Sequence, residues 1–270
     1  MMRNLADRLG PTDTPYAIYK GDPGGFARDV LGIHLWSKED SRTGDQEGQL
    51  EIALAAASGQ EQISIASGRS SGKTFFLAFL AVWWINTRPD SVVLTTAPTG
   101  DQVRNQVWRE IRNLYATSLK PLLGECLTTE LHIGPLWFGY GRSTTDADRF
   151  RGAHARGGFL LLMDESVGII TDLWTAATGF STTGGGCWVA AANPTKNRCD
   201  FQDTFKDDND WMNFQIDCTK VPEDRVGDKW LEARRKEWGG DLCEQNPLWR
   251  AYVRGLPPIE DEDALVEQTL

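Results

Sequence analysis

The sequence predicts an α/β fold in which a mostly parallel β-sheet is covered by helices on both faces. Apolar segments with strand character alternate along the chain with segments of helical periodicity, and that order of elements builds such a sheet. The segment GFLLLMDE at 158–165 is apolar up to its final acidic pair, as central parallel strands are. The 270 residues suffice for one large domain with a sizeable core.

The N-terminal half opens with residues 1–44, whose many Gly, Pro and Asp residues predict a loosely structured lead-in with one short amphipathic segment at 26–36. Regular alternation follows. Apolar residues at intervals of three and four predict helices, whereas β-branched or alternating runs predict strands. The predicted order is a helix at 49–57, a strand at 61–67, a helix at 73–86, a strand at 91–97 and a helix at 99–115.

The C-terminal half continues this alternation. Its predicted elements are a hairpin at 131–140, strands at 158–165, 187–192 and 211–217, and helices at 169–179, 227–238 and 245–254. After Gly255 the chain is acidic and marked by prolines, which is typical of a linker. These observations divide the chain into a lead-in at 1–44, a main folded domain at 45–256 and an acidic linker at 257–270.

Charge and composition exclude several classes of protein. The net charge of -10 argues against a constitutive nucleic-acid coat, although residues 101–160 hold eight basic and six acidic side chains and could contact one partner. Five cysteines without C-x-x-C spacing predict free thiols, and three histidines without ligand spacing argue against a zinc site. The longest apolar run, 75–85, is too short to span a bilayer, and no signal peptide opens the chain.

The segment after the strand at 61–67 is predicted to bind phosphate. It is composed of Ser67, Gly68, Arg69, Ser70, Ser71, Gly72, Lys73 and Thr74, and it leads into a helix, as a P-loop does. Gly68 and Gly72 allow backbone N–H groups to form an anion nest at the helix N-terminus. Lys73 would reach the β- and γ-phosphates, and Thr74 would ligate Mg²⁺. Since Ser67 replaces the first glycine of the usual pattern, a glycine-rich turn before an ordinary helix is the alternative.

Polar residues follow two further predicted strands. Asp164 and Glu165 end the apolar strand at 158–165, at the same sheet edge as the P-loop. Asp164 suits Mg²⁺ ligation, and Glu165 suits a base that polarises the attacking water; a strand meeting a solvated loop is the alternative. Asn193 ends the strand at 187–192, where it could sense the γ-phosphate, unless it only forms a turn with Pro194.

These motifs, in this order and spacing, resemble the ATPase domain of the large terminase subunit of tailed double-stranded DNA bacteriophages. The similarity covers about residues 30–265 and is more specific than any single motif. It extends to segments around the motifs, namely Trp83-Trp84, Thr87-Arg88-Pro89, Thr96-Ala97-Pro98-Thr99, Arg151-Gly152-Ala153-His154-Ala155, Gly184 through Phe205, and Trp249 to Pro258.

The resemblance implies a RecA/ASCE-like P-loop NTPase fold and an ATPase that uses ATP and Mg²⁺ to drive double-stranded DNA into a procapsid. It implies that Gln49 recognises adenine, that Arg69 acts at the γ-phosphate and that Arg151 acts on the nucleotide of a neighbouring subunit. A solvent-facing glutamine and two ordinary surface arginines are the alternatives. DNA would be held through its phosphates, with contacts drawn from Arg104, Arg109 and Arg112.

The same resemblance implies partners and a location. We expect a portal protein, a small terminase subunit and a ring of identical subunits during activity, with a monomer in isolation, and no membrane. The location would be the bacterial host cytoplasm, at the portal vertex of the procapsid. Family members carry a C-terminal nuclease domain, so we expect a truncated motor domain without nuclease activity. A helicase-type translocase and a nucleotide-dependent assembly module without motor activity are the alternative functions.

Overall fold

The computed structural model describes residues 14–143, 155–179 and 185–259. Within these ranges one eight-stranded sheet has the order β3-β4-β5-β2-β6-β7-β1-β8. The strands are β1 Gln62–Ser67, β2 Val92–Ala97, β3 Glu125–Cys126, β4 Glu130–Gly134, β5 Trp137–Ser143, β6 Phe159–Asp164, β7 Cys187–Ala192 and β8 Met212–Ile216.

Parallel pairing dominates the sheet. Strands β5, β2, β6, β7, β1 and β8 run parallel to their neighbours. Antiparallel pairs join β3, β4 and β5 at one edge, so the predicted hairpin at 131–140 is confirmed. Because β7 lies between β6 and β1, the strand that ends in Asp164 lies two positions from the strand that leads into the P-loop. Their carboxyl ends therefore open on one edge.

The helices occupy both faces of the sheet. They are α1 Pro23–Phe26, α2 Gln49–Ala57, α3 Lys73–Thr87, α4 Gly100–Asn105, α5 Val107–Thr117, α6 Thr171–Ala177, α7 Asp200–Asp203, α8 Asp228–Glu237 and α9 Pro247–Trp249. Short 3-10 or π turns lie at Ala17–Tyr19, Ala27–Leu31, Lys38–Asp40, Ser166–Gly168, Gly240–Gln245 and Arg250–Arg254.

Two predicted helices differ in the structure. The helix predicted at 99–115 is divided in two, because Gln106 has φ -110 and ψ -93, outside the helical region. The helix predicted at 245–254 begins only at Pro247, after Asn246 accepts hydrogen bonds from the N–H groups of Leu248 and Trp249, and it ends as a π turn at Gly255.

Helix α3 forms the centre of the larger core. Every residue from Phe76 to Thr87 is buried, and α3 packs on α5. Its tryptophan neighbours are also satisfied as donors: the indole N–H of Trp83 donates to Tyr19 O and that of Trp137 donates to Ile85 O. A second buried cluster, which includes Leu161, Leu173, Trp174 and Phe201, covers the other face. Helices on both faces were predicted, and this arrangement confirms them.

The segment before residue 44 belongs to the core, so the prediction of a loosely structured lead-in is wrong for residues 14–36. Tyr16, Phe26, Val30 and Trp36 are each 5% exposed or less. The glycines and prolines that suggested loose structure are helix signals here. Asp22 caps α1, Pro23 occupies its first turn, and Gly32 ends the following π turn with φ +71.

Truncating the lead-in core should destabilise the whole domain. Phe26 is fully buried and packs edge-on against Tyr16 and Tyr19. We expect Phe26→Ala to lower the free energy of unfolding by about 3–5 kcal/mol, measured by urea denaturation. Ile18→Ala is the matched control, since Ile18 is 79% exposed, and it should change the free energy by less than about 0.5 kcal/mol. Equal stability of the two variants would contradict the packing described here.

Candidate nucleotide site

The candidate site lies at the carboxyl edge of the sheet, where three neighbouring strands end. Strand β1 ends at Ser67 and continues into the loop at 68–72, β6 ends at Asp164, and β7 ends just before Asn193. Side-chain contacts connect all three strand ends. Ligand sites of open parallel sheets lie at this edge.

Lys73 is the centre of a buried ionic cluster. Its Nζ lies 2.8 Å from Glu165 Oε1 and 3.4 Å from Asp164 Oδ1, and Asp164 Oδ2 accepts a hydrogen bond of 3.1 Å from the Thr74 hydroxyl. The side chains of Lys73 and Asp164 are 8% and 1% exposed, whereas that of Glu165 is 33% exposed. Glu165 is therefore the member of the cluster that solvent reaches.

The charges of the cluster support one another. Burial disfavours the ammonium group, but the carboxylates of Asp164 and Glu165 outweigh burial and raise the pKa of Lys73 above its ordinary value. Lys73 is accordingly charged at neutral pH. Burial raises the pKa of Asp164, and the nearby Lys73 charge opposes that rise.

The P-loop presents donors to the space above it. Gly72 (φ +88) and Ser70 (φ +63) have left-handed backbone conformations that turn the loop. In the described part of the chain, the backbone N–H groups of residues 70–74 donate no hydrogen bond. They precede or begin α3, whose N-terminus carries partial positive charge. These residues are consistent with the predicted anion nest.

Gly68 has a different role from the one that the sequence predicted. Its N–H donates to Ile216 O at 3.0 Å instead of facing the nest, and its φ is not positive. A Cβ built on Gly68 would lie 2.3 Å from Cys218 Sγ, 2.7 Å from Val253 O and 2.8 Å from Tyr252 O. Glycine is needed here because the chain after β8 and the C-terminal π turn pack directly against the loop.

Glu165 has a strained backbone. Its φ of 51 and ψ of 44 lie in the left-handed region, which is rare for a residue with a side chain. Such a conformation costs about 1–3 kcal/mol and occurs preferentially at functional sites. Hydrogen bonds hold the turn, because Glu165 N–H donates to Asp164 Oδ1 and Gly168 N–H donates to Glu165 O. The turn brings the Glu165 carboxylate to Lys73.

Asn193 contacts the beginning of the P-loop. Its Nδ2 donates a hydrogen bond of 2.5 Å to Ser67 O, so the end of β7 is joined to the last residue of β1. Nearby, the buried Ser166 hydroxyl donates to Met163 O and accepts from Ala191 N–H, which joins β6 to β7. The sequence did not single out Ser166. The only signal was its position directly after the acidic pair.

Gln49, Arg69 and Arg151 were assigned from the resemblance, and their roles stay predictions. Gln49 is 2% exposed and donates from Nε2 to Gly72 O at 3.3 Å, while its buried Oε1 has no partner. The Arg69 guanidinium is exposed and lies over the Tyr252 ring, 3.6 Å from the ring centroid, so contact with a γ-phosphate would require Arg69 to leave Tyr252. Arg151 lies outside the described residues.

The donor set fits Mg²⁺ and a polyphosphate. The Thr74 hydroxyl and the Asp164 carboxylate, 3.1 Å apart, are hard oxygen ligands, and Mg²⁺ binds few protein ligands when phosphate oxygens complete its shell. Two buried hydroxyls in this region, Ser67 Oγ and Ser71 Oγ, have no partner. Among the described residues, no group of three or more His, Cys, Asp or Glu side chains is placed to hold a metal by itself.

No protein-family model matches the chain, and no curated protein matches it. Solved structures do resemble it. A mutant of the large terminase ATPase domain of Thermus phage P74-26 superposes with a TM-score of 0.53 and 18% identity, over 79% of this chain and 95% of that one. The large terminase of a thermophilic bacteriophage gives 0.58 and 16% identity, over 78% of this chain and 53% of that one. Its complex with ADP gives 0.59, 14%, 78% and 52%.

This chain has the fold of a large terminase ATPase domain. The predicted fold class, an α/β P-loop NTPase with a mostly parallel sheet and helices on both faces, is therefore confirmed. The chain spans about half the length of the thermophilic phage large terminase, which is 53% covered. None of the described helices combines the length and apolar character needed to cross a bilayer.

A side chain at position 68 should disturb the loop. We expect Gly68→Ala to lower the free energy of unfolding by about 1–3 kcal/mol and to weaken nucleotide binding, because the new methyl group overlaps Cys218 and the carbonyls of Tyr252 and Val253. Urea denaturation and calorimetry measure the two effects. Gly100→Ala is the control, since its Cβ would meet nothing within 4 Å. Gly68→Ala with unchanged stability and affinity would contradict close packing at this position.

Proposed function

We propose that this chain binds ATP with Mg²⁺ and hydrolyses it. The observation that carries the proposal is the contact of Lys73 and Thr74, which begin the helix after a P-loop, with Asp164 and Glu165 at the end of β6. Phosphate-binding, metal-binding and basic groups therefore share one site. Structural neighbours described as complexes with ADP and with ATP-γ-S support this proposal.

Each residue has a part in hydrolysis. Lys73 and the N–H groups of residues 70–74 would hold the β- and γ-phosphates, and Thr74 and Asp164 would hold Mg²⁺, which neutralises charge on those phosphates. When phosphate attracts Lys73, Glu165 loses its present ion-pair partner. The freed carboxylate can then accept a proton from the attacking water. The Lys73–Glu165 contact thus keeps the base occupied until nucleotide arrives.

Removing the charge of Glu165 should separate binding from turnover. Glu165→Gln keeps the shape of the side chain, so ATP should still bind while phosphate release falls by about 10²–10⁴-fold. Lys73→Ala should abolish ATP binding in calorimetry. The control is Asp172→Asn, an exposed carboxylate at the start of α6, which should behave as wild type. Wild-type turnover by Glu165→Gln would refute the assignment of the base.

We also propose that hydrolysis drives DNA packaging, with double-stranded DNA, a portal protein and a small terminase subunit as partners of a homo-oligomeric ring at the procapsid portal vertex. The support is the fold, which is that of large terminase ATPase domains. Of the arginines predicted to contact DNA, Arg109 pairs with Glu110 and Arg112 donates to Thr128 O. Arg104 is exposed and is the best candidate for a DNA phosphate contact.

A neighbouring subunit should accelerate hydrolysis through Arg151. An arginine supplied in trans contributes about 10³–10⁵ in turnover in other phosphoryl-transfer enzymes. We therefore expect slow basal turnover that rises more than proportionally with protein concentration, and we expect Arg151→Ala to remove that rise. Mixing Arg151→Ala with Glu165→Gln protein should restore activity, because each supplies what the other lacks. If folded, oligomerising mixtures show no rescue in a phosphate-release assay, Arg151 does not act in trans.

A further inference from the structure

Arg225 lies beside the P-loop, although no sequence motif contains it. Its Nη1 is 3.9 Å from the position that a Cβ on Gly72 would occupy, and Gln49 Nε2 is 2.9 Å from the same point. Arg225 is half-buried. It belongs to the turn at 222–226 that follows β8, in which the N–H groups of Arg225 and Val226 both donate to Pro222 O.

This turn is held in place from behind. The side chain of Arg42 donates from Nε to Val221 O and from Nη2 to Val226 O, and it also pairs with Asp228. Val221 and Val226 are 0% and 2% exposed. Because both ends of the turn are anchored, the Arg225 side chain projects from a fixed backbone. Its position beside Gly72 is therefore built into the fold.

The Arg225 guanidinium has no partner among the described residues, which supply it with neither a hydrogen bond nor an ion pair. Next to it, Gln49 Oε1 is buried without a partner in a side chain that is 2% exposed. Buried polar atoms are normally satisfied, so an orphaned acceptor beside an unpaired cation indicates a polar ligand. The two groups flank Gly72 and offer that ligand an acceptor and several donors.

The sheet order decides which end of a nucleotide they would meet. Asp164 and Glu165 end β6, whereas Arg225 follows β8, and β7 and β1 lie between these two strands. Gln49 is on the β8 side as well, because the preceding Gln46 bonds Gln215 O and Asp217 N–H at the end of β8. The reacting γ-phosphate belongs with the carboxylates on the β6 side. The opposite end of the nucleotide therefore lies toward β8.

We propose that Arg225 binds the nucleoside end of ATP, its base and ribose, within its own subunit, and so determines nucleotide affinity and not the rate of hydrolysis. This inference rests on the proposed ATP binding at the P-loop. A guanidinium is planar, permanently charged and rich in donors, so it can lie against a purine face or donate to ring nitrogens and ribose oxygens. Lys73 and the P-loop N–H groups then hold the phosphates without help from Arg225.

Calorimetry with ATP and with inorganic tripolyphosphate tests this assignment. Arg225→Ala should weaken ATP binding at least tenfold and leave tripolyphosphate binding unchanged, while turnover at saturating ATP stays at the wild-type value and thermal unfolding does not shift. The matched control is Arg235→Ala, an exposed arginine on α8 that faces Asp241 and should change neither affinity.

Two outcomes would overturn the assignment: unchanged ATP affinity, or an equal loss for ATP and tripolyphosphate, which would make Arg225 a general phosphate ligand. A fall in saturating turnover would also contradict it. Failure of the proposed function gives a different pattern. In that case the wild-type chain binds neither compound, or Lys73→Ala binds both as the wild type does.

Discussion

The ion pairs of the buried Lys73 with Asp164 and Glu165 are the interaction on which the site depends. Each charge is expensive to bury alone, and together they are stable only if the carboxyl ends of β1 and β6 open on the same edge. The parallel sheet and the strand order supply that condition. The cluster in turn keeps a cation, a metal-ligand pair and a base within hydrogen-bond distance before any ligand binds.

The chain after β8 completes the site from the opposite side. Its backbone approaches the P-loop so closely that Gly68 has room for no side chain, and the N–H of Arg69 donates to Tyr252 O at 2.7 Å. The same region carries the turn that holds Arg225. Two walls therefore flank the loop: one with carboxylates on β6, and one with the C-terminal segment and α2. A nucleotide lying between them would have distinct surroundings at its two ends.

The lead-in and the central helix show how the scaffold resists distortion. Helix α3 begins at the P-loop and is buried on every side, in part by aromatic residues of the segment at 14–36. Arg88, at the end of α3, is 5% exposed and lies 4.2 and 3.9 Å from the ring centroids of Trp83 and Trp84, and burial lowers its pKa to about 10. Because α3 is fixed along its whole length, Lys73 and Thr74 at its start have little freedom.

The sequence by itself determined the parallel sheet, the order of most elements and the composition of the P-loop and acidic pair, because these depend on local periodicity and on residues close together along the chain. It placed Lys73, Asp164, Glu165 and Asn193 at one edge, since strand ends follow from where apolar runs stop. Only the tertiary structure showed that residues 14–36 are core and that Gly68 serves packing. It alone brought Arg225 to Gly72. These features depend on contacts between segments far apart in the chain, for which no local pattern of residues gives a signal.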